Sequence, residues 1–447
     1  MATNTTSRTL ALAAVGLMVA ATTAACGSSS TGSSSTGSSG FTAAPAADVG
    51  GGPGRHQAVA PRGRRPQICV IDGLDYGPLC GLIGTWKSDS TGPGVDVAPG
   101  QAGSTVGKGK PAVSPYYETI TYTPAGGAVN ASDQHLAALY YRQQVFQKSD
   151  NKQFHDQTGY LIYDKKAQKV YDSFCIPRGV CVVAEGAPGT TMTLKTQSNG
   201  VAQTQYMLTH PDRTDAFSIT FTLSGNTLKY EQTTDLQVYG KPFSHTDSDT
   251  LEKTAASAPA TGVIAGVDYG PLVGLIGTWK SAPNGGVDVA PGQVGSPVGP
   301  GGPAVSPYYE TITYTPAGEA VNASEQHLAA LYYRQQVFAK SDNKQFHDQT
   351  GYLIYDKKAQ KVYDTFCIPR GVCVVAEGAP GTTMTLKTQS KGVAETQYML
   401  KTDRTQAFSV TFTLSGNTLK YAQKTDLQVY GKPFSHTDSS TLKKTGA

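Results

Sequence analysis

The segment Leu82-Ile83-Gly84-Thr85-Trp86-Lys87 returns as Leu275-Ile276-Gly277-Thr278-Trp279-Lys280, and the correspondence continues to the end of the chain. Between Lys148 and Tyr206 the copies differ at three places: Ser173 against Thr365, Asn199 against Lys391 and Gln203 against Glu395. A tandem duplication this close demands an architecture that one unit can build twice. Solenoid repeats run to about 20–50 residues, and a period of about 190 is far longer. Each copy is therefore expected to be a complete domain with its own core. Copies this similar have had little chance to diverge, so a residue shared between them is not thereby shown to matter.

Within a copy the pattern is β. The runs 118–123, 136–146, 159–163, 169–175, 181–185 and 192–196 are rich in β-branched and aromatic residues, and several alternate apolar with polar. Residues 217–223 then meet 228–231 across Ser224-Gly225-Asn226-Thr227, a hairpin whose Gly-Asn pair suits positive φ. Helix is nearly absent, apart from a turn expected over residues 78–83. Short strands at this spacing predict a closed antiparallel barrel or a sandwich.

The N-terminus reads as an export signal. Arg8 precedes an apolar run over residues 10–21, followed by Thr23-Ala24-Ala25-Cys26. That run is too short to cross a bilayer as a mature helix. Small residues ahead of a cysteine resemble a bacterial lipobox, with Thr23 where Leu is usual; the resemblance implies a chain cut before a lipidated Cys26. Residues 27–40 are Gly, Ser and Thr alone, a composition that forms a flexible tether. The expected boundaries are a signal peptide over 1–25, lipidated Cys26 with a disordered linker to 71, a first domain over 72–253, a linker over 254–264 and a second domain over 265–447. The expected location is the outer side of a cell membrane, reached through the Cys26 lipid. Lys and Arg total 37 against 33 acidic residues, too even a balance to imply a nucleic-acid partner.

Seven cysteines suit an oxidising compartment if Cys26 is lipidated and six pair. Cys175 and Cys181 flank a Pro-Arg-Gly turn, as do Cys367 and Cys373, so one disulfide is expected in each domain. Cys69 and Cys80 remain as a third pair confined to the first copy, since Val273 replaces Cys80. A metal site is the rival for Cys-x5-Cys, but no second cysteine pair or nearby histidine supplies four ligands.

The usual hydrolase, nucleotide and zinc-protease signatures are missing, and no catalytic set emerges. Three histidines recur in each copy: His135, His155 and His245, then His327, His347 and His436. His135 has polar neighbours and reads as a surface residue. Four features occur in order: Pro78-Leu-x-Gly-Leu-Ile-Gly84-Thr-Trp86, Tyr117-Glu118-x-Ile120, His155-x-Gln157-x-Gly159-Tyr160-Leu161 and Val182-Val-Ala-Glu185-Gly186. Together they resemble the nitrobindin-like heme-binding β-barrels, relatives in shape of the fatty-acid-binding proteins. The resemblance implies an all-β protein of two tandem, roughly ten-stranded antiparallel barrels, each with one internal cavity. It implies heme b as a cofactor, with His245 and His436 as iron ligands and His155 and His347 beside it. Ile162 and Ile354 stand where the family has Arg, and residues 92–115 form a Gly/Pro-rich insertion. An extended strand puts Asp247, Asp249 and Leu251 on the side of His245, and the same residues read without the resemblance leave His245 on the surface.

Three functions are weighed, and the first is favoured because a barrel resemblance supports a cavity better than it supports a reaction. The first is an exported lipoprotein whose barrels bind a small apolar ligand such as a fatty acid. The second is a heme protein that binds nitric oxide or isomerises peroxynitrite. The third is a structural or adhesive surface protein presenting many exposed tyrosines. Trp86 and Trp279 are expected to be core residues at the closed end of each barrel.

Overall fold

The computed structural model describes residues 69–88, 92, 94–210, 212–254 and 267–446. The export signal, Cys26, the tether and the linker beyond Thr254 lie outside the described residues. After a small hairpin, β1 (Val70–Ile71) and β2 (Leu74–Asp75), a 3-10 turn spans Gly77–Leu82. Pro78 sits in its first positions, Leu79 and Leu82 turn inward, and Cys80 pairs with Cys69.

The first barrel comprises β3 (Gly84–Ser88), β4 (Gly94–Pro99), β5 (Pro111–Asn130), β6 (Gln134–Gln147), β7 (Gln153–Asp164), β8 (Lys169–Ile176), β9 (Val180–Gly186), β10 (Thr191–Gln203), β11 (Asp212–Ser224), β12 (Thr227–Val238) and β13 (Lys241–Thr254). Each strand from β5 to β13 pairs antiparallel with the next, and β13 returns to β3 and β4, closing the ring. β3 and β4 lie end to end between β5 and β13, so eleven strands fill ten places. Part of the Gly/Pro-rich insertion is thus strand rather than loop: the alternating Val95-Asp96-Val97 forms β4 and pairs with both neighbours. The hairpin at Ser224–Thr227 forms as read. The helix α1 (Gln205–Thr209) was not foreseen; Thr204 caps it by accepting from the Met207 amide.

The second barrel repeats this order in β14 (Gly277–Ser281), β15 (Gly286–Pro291), β16 (Pro303–Asn322), β17 (Gln326–Ala339), β18 (Gln345–Asp356), β19 (Lys361–Ile368), β20 (Val372–Gly378), β21 (Thr383–Glu395), α2 (Gln397–Thr402), β22 (Asp403–Ser415), β23 (Thr418–Val429) and β24 (Lys432–Gly446). The cysteine pairs form as expected, each directly across a ladder: Cys175 with Cys181 and Cys367 with Cys373.

The two barrels share a buried seam. Nine consecutive residues of β7, Asp156–Asp164, are buried, because alternate side chains enter the barrel core and the others enter a second core between the repeats. Tyr140, Tyr160, Ile162 and Val183 meet Tyr332, Tyr352, Ile354 and Val375 in that second core. Ile162 faces the other repeat, where an unpaired cation would be costly. Polar contacts across the seam come in reciprocal pairs. Tyr160 donates to Asp348 and Tyr352 to Asp156, each at 2.6 Å. Arg142 and Arg334 grip these same aspartates, with shortest contacts of 2.7 Å. Each guanidinium also lies about 4 Å from a tyrosine ring of the other repeat, Tyr332 and Tyr140 respectively.

The tyrosines do not form the exposed adhesive surface of the third reading, since Tyr116, Tyr122, Tyr141, Tyr160 and Tyr230 are all buried, as are Tyr308, Tyr314, Tyr333, Tyr352 and Tyr421. The amphipathic rings fill the barrels and the seam, with hydroxyls on buried partners. Trp86 is fully buried, and its indole N–H donates to Leu82 O at 2.7 Å; Trp279 repeats the bond to Leu275 O at 2.7 Å. Replacing Trp86 by Ala should cost about 3–5 kcal/mol of first-barrel stability. A denaturant melt that matches the parent would remove its core role.

Asp172 and Asp364 lie inside the barrels and accept from Tyr141 and Tyr333, each at 2.9 Å. Burial pushes both carboxyls up to about 7. An acid with a raised folded pKa binds its proton more tightly in the native state. Its favourable contribution is therefore present below the unfolded pKa near 4 and is lost as pH rises to about 7. The Asp172→Asn/Asp364→Asn variant should melt above the parent at pH 8, with the advantage gone at pH 4. Parallel melting curves across that range would contradict this reading.

Candidate functional site

One end of the first barrel encloses a cavity of about 870 Å³. Its apolar wall includes Phe174, Val180, Val182, Met207, Phe217, Leu236 and Val238, contributed by β8, β9, β11, β12 and α1. The strand β13 brings His245 to this cavity, and β7 brings His155. The sequence expectation of a surface His245 is thus corrected: Asp247 and Asp249 do share its side of the strand, but that side faces inward. His245 is half-buried, and its Nε2–H donates to Asp96 Oδ1 at 2.6 Å. His436 and Asp288 repeat this couple at 2.6 Å. A carboxylate on one imidazole nitrogen fixes the tautomer and leaves the other nitrogen as an acceptor, the arrangement typical of metal-ligating histidines.

Burial, with the Arg178 guanidinium second, lowers the His155 pKa to about 4. Burial and Arg370 lower that of His347 to about 4. Both imidazoles are therefore neutral near pH 7. His135 and His327 are exposed, as expected for the former.

Carboxyl groups also line this end of the barrel. Asp247 accepts from Tyr116, which meets Tyr230 at 2.6 Å, and from Gln232 at 3.2 Å. Burial raises Asp247 to about 7 and its counterpart Asp438 to about 8. Deeper in, Glu118 accepts from Gln143 at 2.5 Å and is raised well above the carboxylate range by burial, then by the charges of Asp249 and Asp247. Ser88 donates to Asp249 at 2.6 Å, whereas the second copy has Ser440 at that position. The sequence reading missed Asp96, Arg178, Tyr116 and Glu118 as site residues. Period-two alternation around Asp96 was the available signal, and the Gly/Pro-rich context obscured it.

The other repeat completes the mouth of this cavity. Residues 318–324, from the β16–β17 hairpin, belong to its lining. Ser324 Oγ meets Tyr239 OH at 2.6 Å and accepts from the Ala102 amide at 3.0 Å. Asn322 donates to Arg178 O at 3.1 Å, and Arg178 donates to Val321 O at 3.0 Å. The first repeat reciprocates with Ser132 on Tyr430 and Asn130 on Arg370 O.

Heme fits these residues. The cavity lies in the range of small-molecule sites, about 300–1,000 Å³. One wall is apolar, and the carboxylate-held imidazole of His245 lines the same cavity. The neighbouring Asp247 is biased toward its neutral form by burial, which lessens the conflict between a carboxyl wall and an apolar ligand.

Two segments, residues 75–253 and 268–444, match the family described as THAP4-like, heme-binding beta-barrel domain. Among solved structures, Rv2717c from M. tuberculosis is 19% identical, over 39% of this chain and 94% of its own, with a TM-score of 0.29. A DUF3598-family protein of unknown function from Nostoc punctiforme is 8% identical, over 82% of this chain and 98% of its own, with a TM-score of 0.18. Kievitone hydratase from Nectria haematococca is 8% identical, over 82% and 90%, with a TM-score of 0.13. No curated protein sequence matches. With the same family matched over residues 75–253 and again over 268–444, the chain belongs to the THAP4-like heme-binding β-barrel family and holds that domain twice.

Proposed function

We propose that each barrel binds heme, with His245 in the first and His436 in the second as the iron ligands. The carrying observation is the His245–Asp96 couple on the wall of an apolar-sided cavity of about 870 Å³, repeated as His436–Asp288. His245 would ligate through the nitrogen that Asp96 does not hold, while Asp96 keeps the ring oriented and in one tautomer. Neutral His155 adds an uncharged polar group to the same cavity. Bound heme supplies an iron centre able to take a small ligand such as nitric oxide. The hairpin of the opposite repeat limits water at the mouth. We further propose that the chain is exported and anchored through Cys26, which the basic, apolar and small-residue order of residues 8–26 supports.

Hemin titration of the signal-less protein should give a Soret shift that saturates near two equivalents per chain. The His245→Ala/His436→Ala variant should lose that shift. A spectrum unchanged in the variant would remove the ligation reading and leave a barrel for an iron-free apolar ligand, to be sought by lipid extraction.

A further inference from the structure

The cysteines of the two repeats meet. Cys175 and Cys181 pair across β8 and β9, Cys367 and Cys373 across β19 and β20, and these strand pairs face each other in the seam. All four side chains are fully buried. Cys175 Sγ lies 3.4 Å from Cys367 Sγ, and Cys175, Cys367 and Cys373 have sulfurs within 4.8 Å of one another. The sequence expectation that each Cys-x5-Cys stands alone, without a second cysteine pair, is therefore corrected: the duplication supplies the second pair. A second observation is independent of these sulfur distances. Cys181 Sγ lies 3.6 Å from Val374 O, and Cys373 Sγ lies 3.6 Å from Val182 O. The outer two sulfurs thus face backbone acceptors of the opposite repeat, whereas the inner two face each other.

We propose that these four cysteines form one exchangeable set, whose second pairing is a Cys175–Cys367 disulfide joining the repeats. A small dithiol first reduces Cys175–Cys181, giving two thiols and becoming a disulfide itself. The Cys175 thiolate then attacks Cys367 Sγ. The Cys175–Cys367 bond forms, the Cys367–Cys373 bond breaks, and Cys373 leaves as a thiolate that takes up the proton Cys175 released. This second step is neutral in electrons. The freed Cys181 and Cys373 thiols have Val374 O and Val182 O as acceptors, so the rearranged seam leaves no orphaned donor there. Full burial confines the reaction to moments when the seam opens. The new bond then ties together the two repeats whose β5–β6 and β16–β17 hairpins each lie against the other repeat.

The test uses the full chain in two double variants, purified under air and mapped by mass spectrometry of non-reduced peptides. Cys181→Ser/Cys373→Ser retains the inner sulfurs and should give a linked Cys175–Cys367 peptide in most molecules. Cys175→Ser/Cys367→Ser retains the outer sulfurs and should give alkylated, unlinked Cys181 and Cys373. Unlinked thiols in the first variant, or equal linkage in both, would overturn the proposal. The parent protein provides a measurement that does not depend on the variants folding. After limiting dithiothreitol, acid quenching and alkylation, it should yield a Cys175–Cys367 peptide with Cys181 and Cys373 alkylated. Reduction that leaves only Cys175–Cys181 and Cys367–Cys373 linkages would likewise overturn the proposal.

Discussion

The arrangement depends on two buried ion pairs, each formed within one repeat and completed by a tyrosine hydroxyl of the other. Asp156 is held by Arg142 of its own barrel and by the Tyr352 hydroxyl of the other, and Asp348 is held by Arg334 and Tyr160 in mirror fashion. Removing the arginine from such a pair leaves an uncompensated charge, at a cost of about 3–5 kcal/mol, and removing the tyrosine leaves a buried acceptor short of a hydrogen bond. The seam must therefore settle in the one register that pairs Tyr160 with Asp348 and Tyr352 with Asp156. That register also brings the cysteines together and lays each hairpin against the opposite repeat.

Much of the fold was legible because period-two alternation and turn chemistry are local signals. The Ser224–Thr227 hairpin and the cross-strand cysteines followed from short stretches of sequence. The seam was not legible, although its trace was present. Leu136–Tyr141 and Tyr160–Tyr163 read as continuous apolar runs rather than alternating ones, the mark of strands buried on both faces. One copy taken alone offers no partner for the second face, so such a run looks like a strong strand and nothing more. His245 illustrates the complementary difficulty. Two neighbouring aspartates argued for solvent, yet Asp247 and Asp249 are inside because Tyr116, Gln232 and Ser88 hydrogen-bond to them. Two of those partners, Tyr116 and Ser88, stand 131 and 161 residues away in sequence.

The interior is thus apolar on one wall and acidic on another. Carboxyls that lean toward neutrality can share a cavity with an apolar ligand, while Asp96 keeps a single directed bond to the imidazole. The copies differ where this acidic wall is deepest, at Asp249 against Ser440. Glu118 loses a neighbouring charge in the second barrel, where its counterpart Glu310 is raised by burial alone. The near-identical repeats are consequently not electrostatic duplicates.

The hairpin at the cavity mouth crosses the lines of inheritance. Glu319 is encoded in the second repeat but lines the first repeat's cavity, and the matching position in the first repeat is Gly127. A mutation at position 319 thus alters the entrance of a cavity whose floor and walls are specified almost entirely by the other half of the gene. Two duplicated halves joined through each other's hairpins in this way cannot diverge independently.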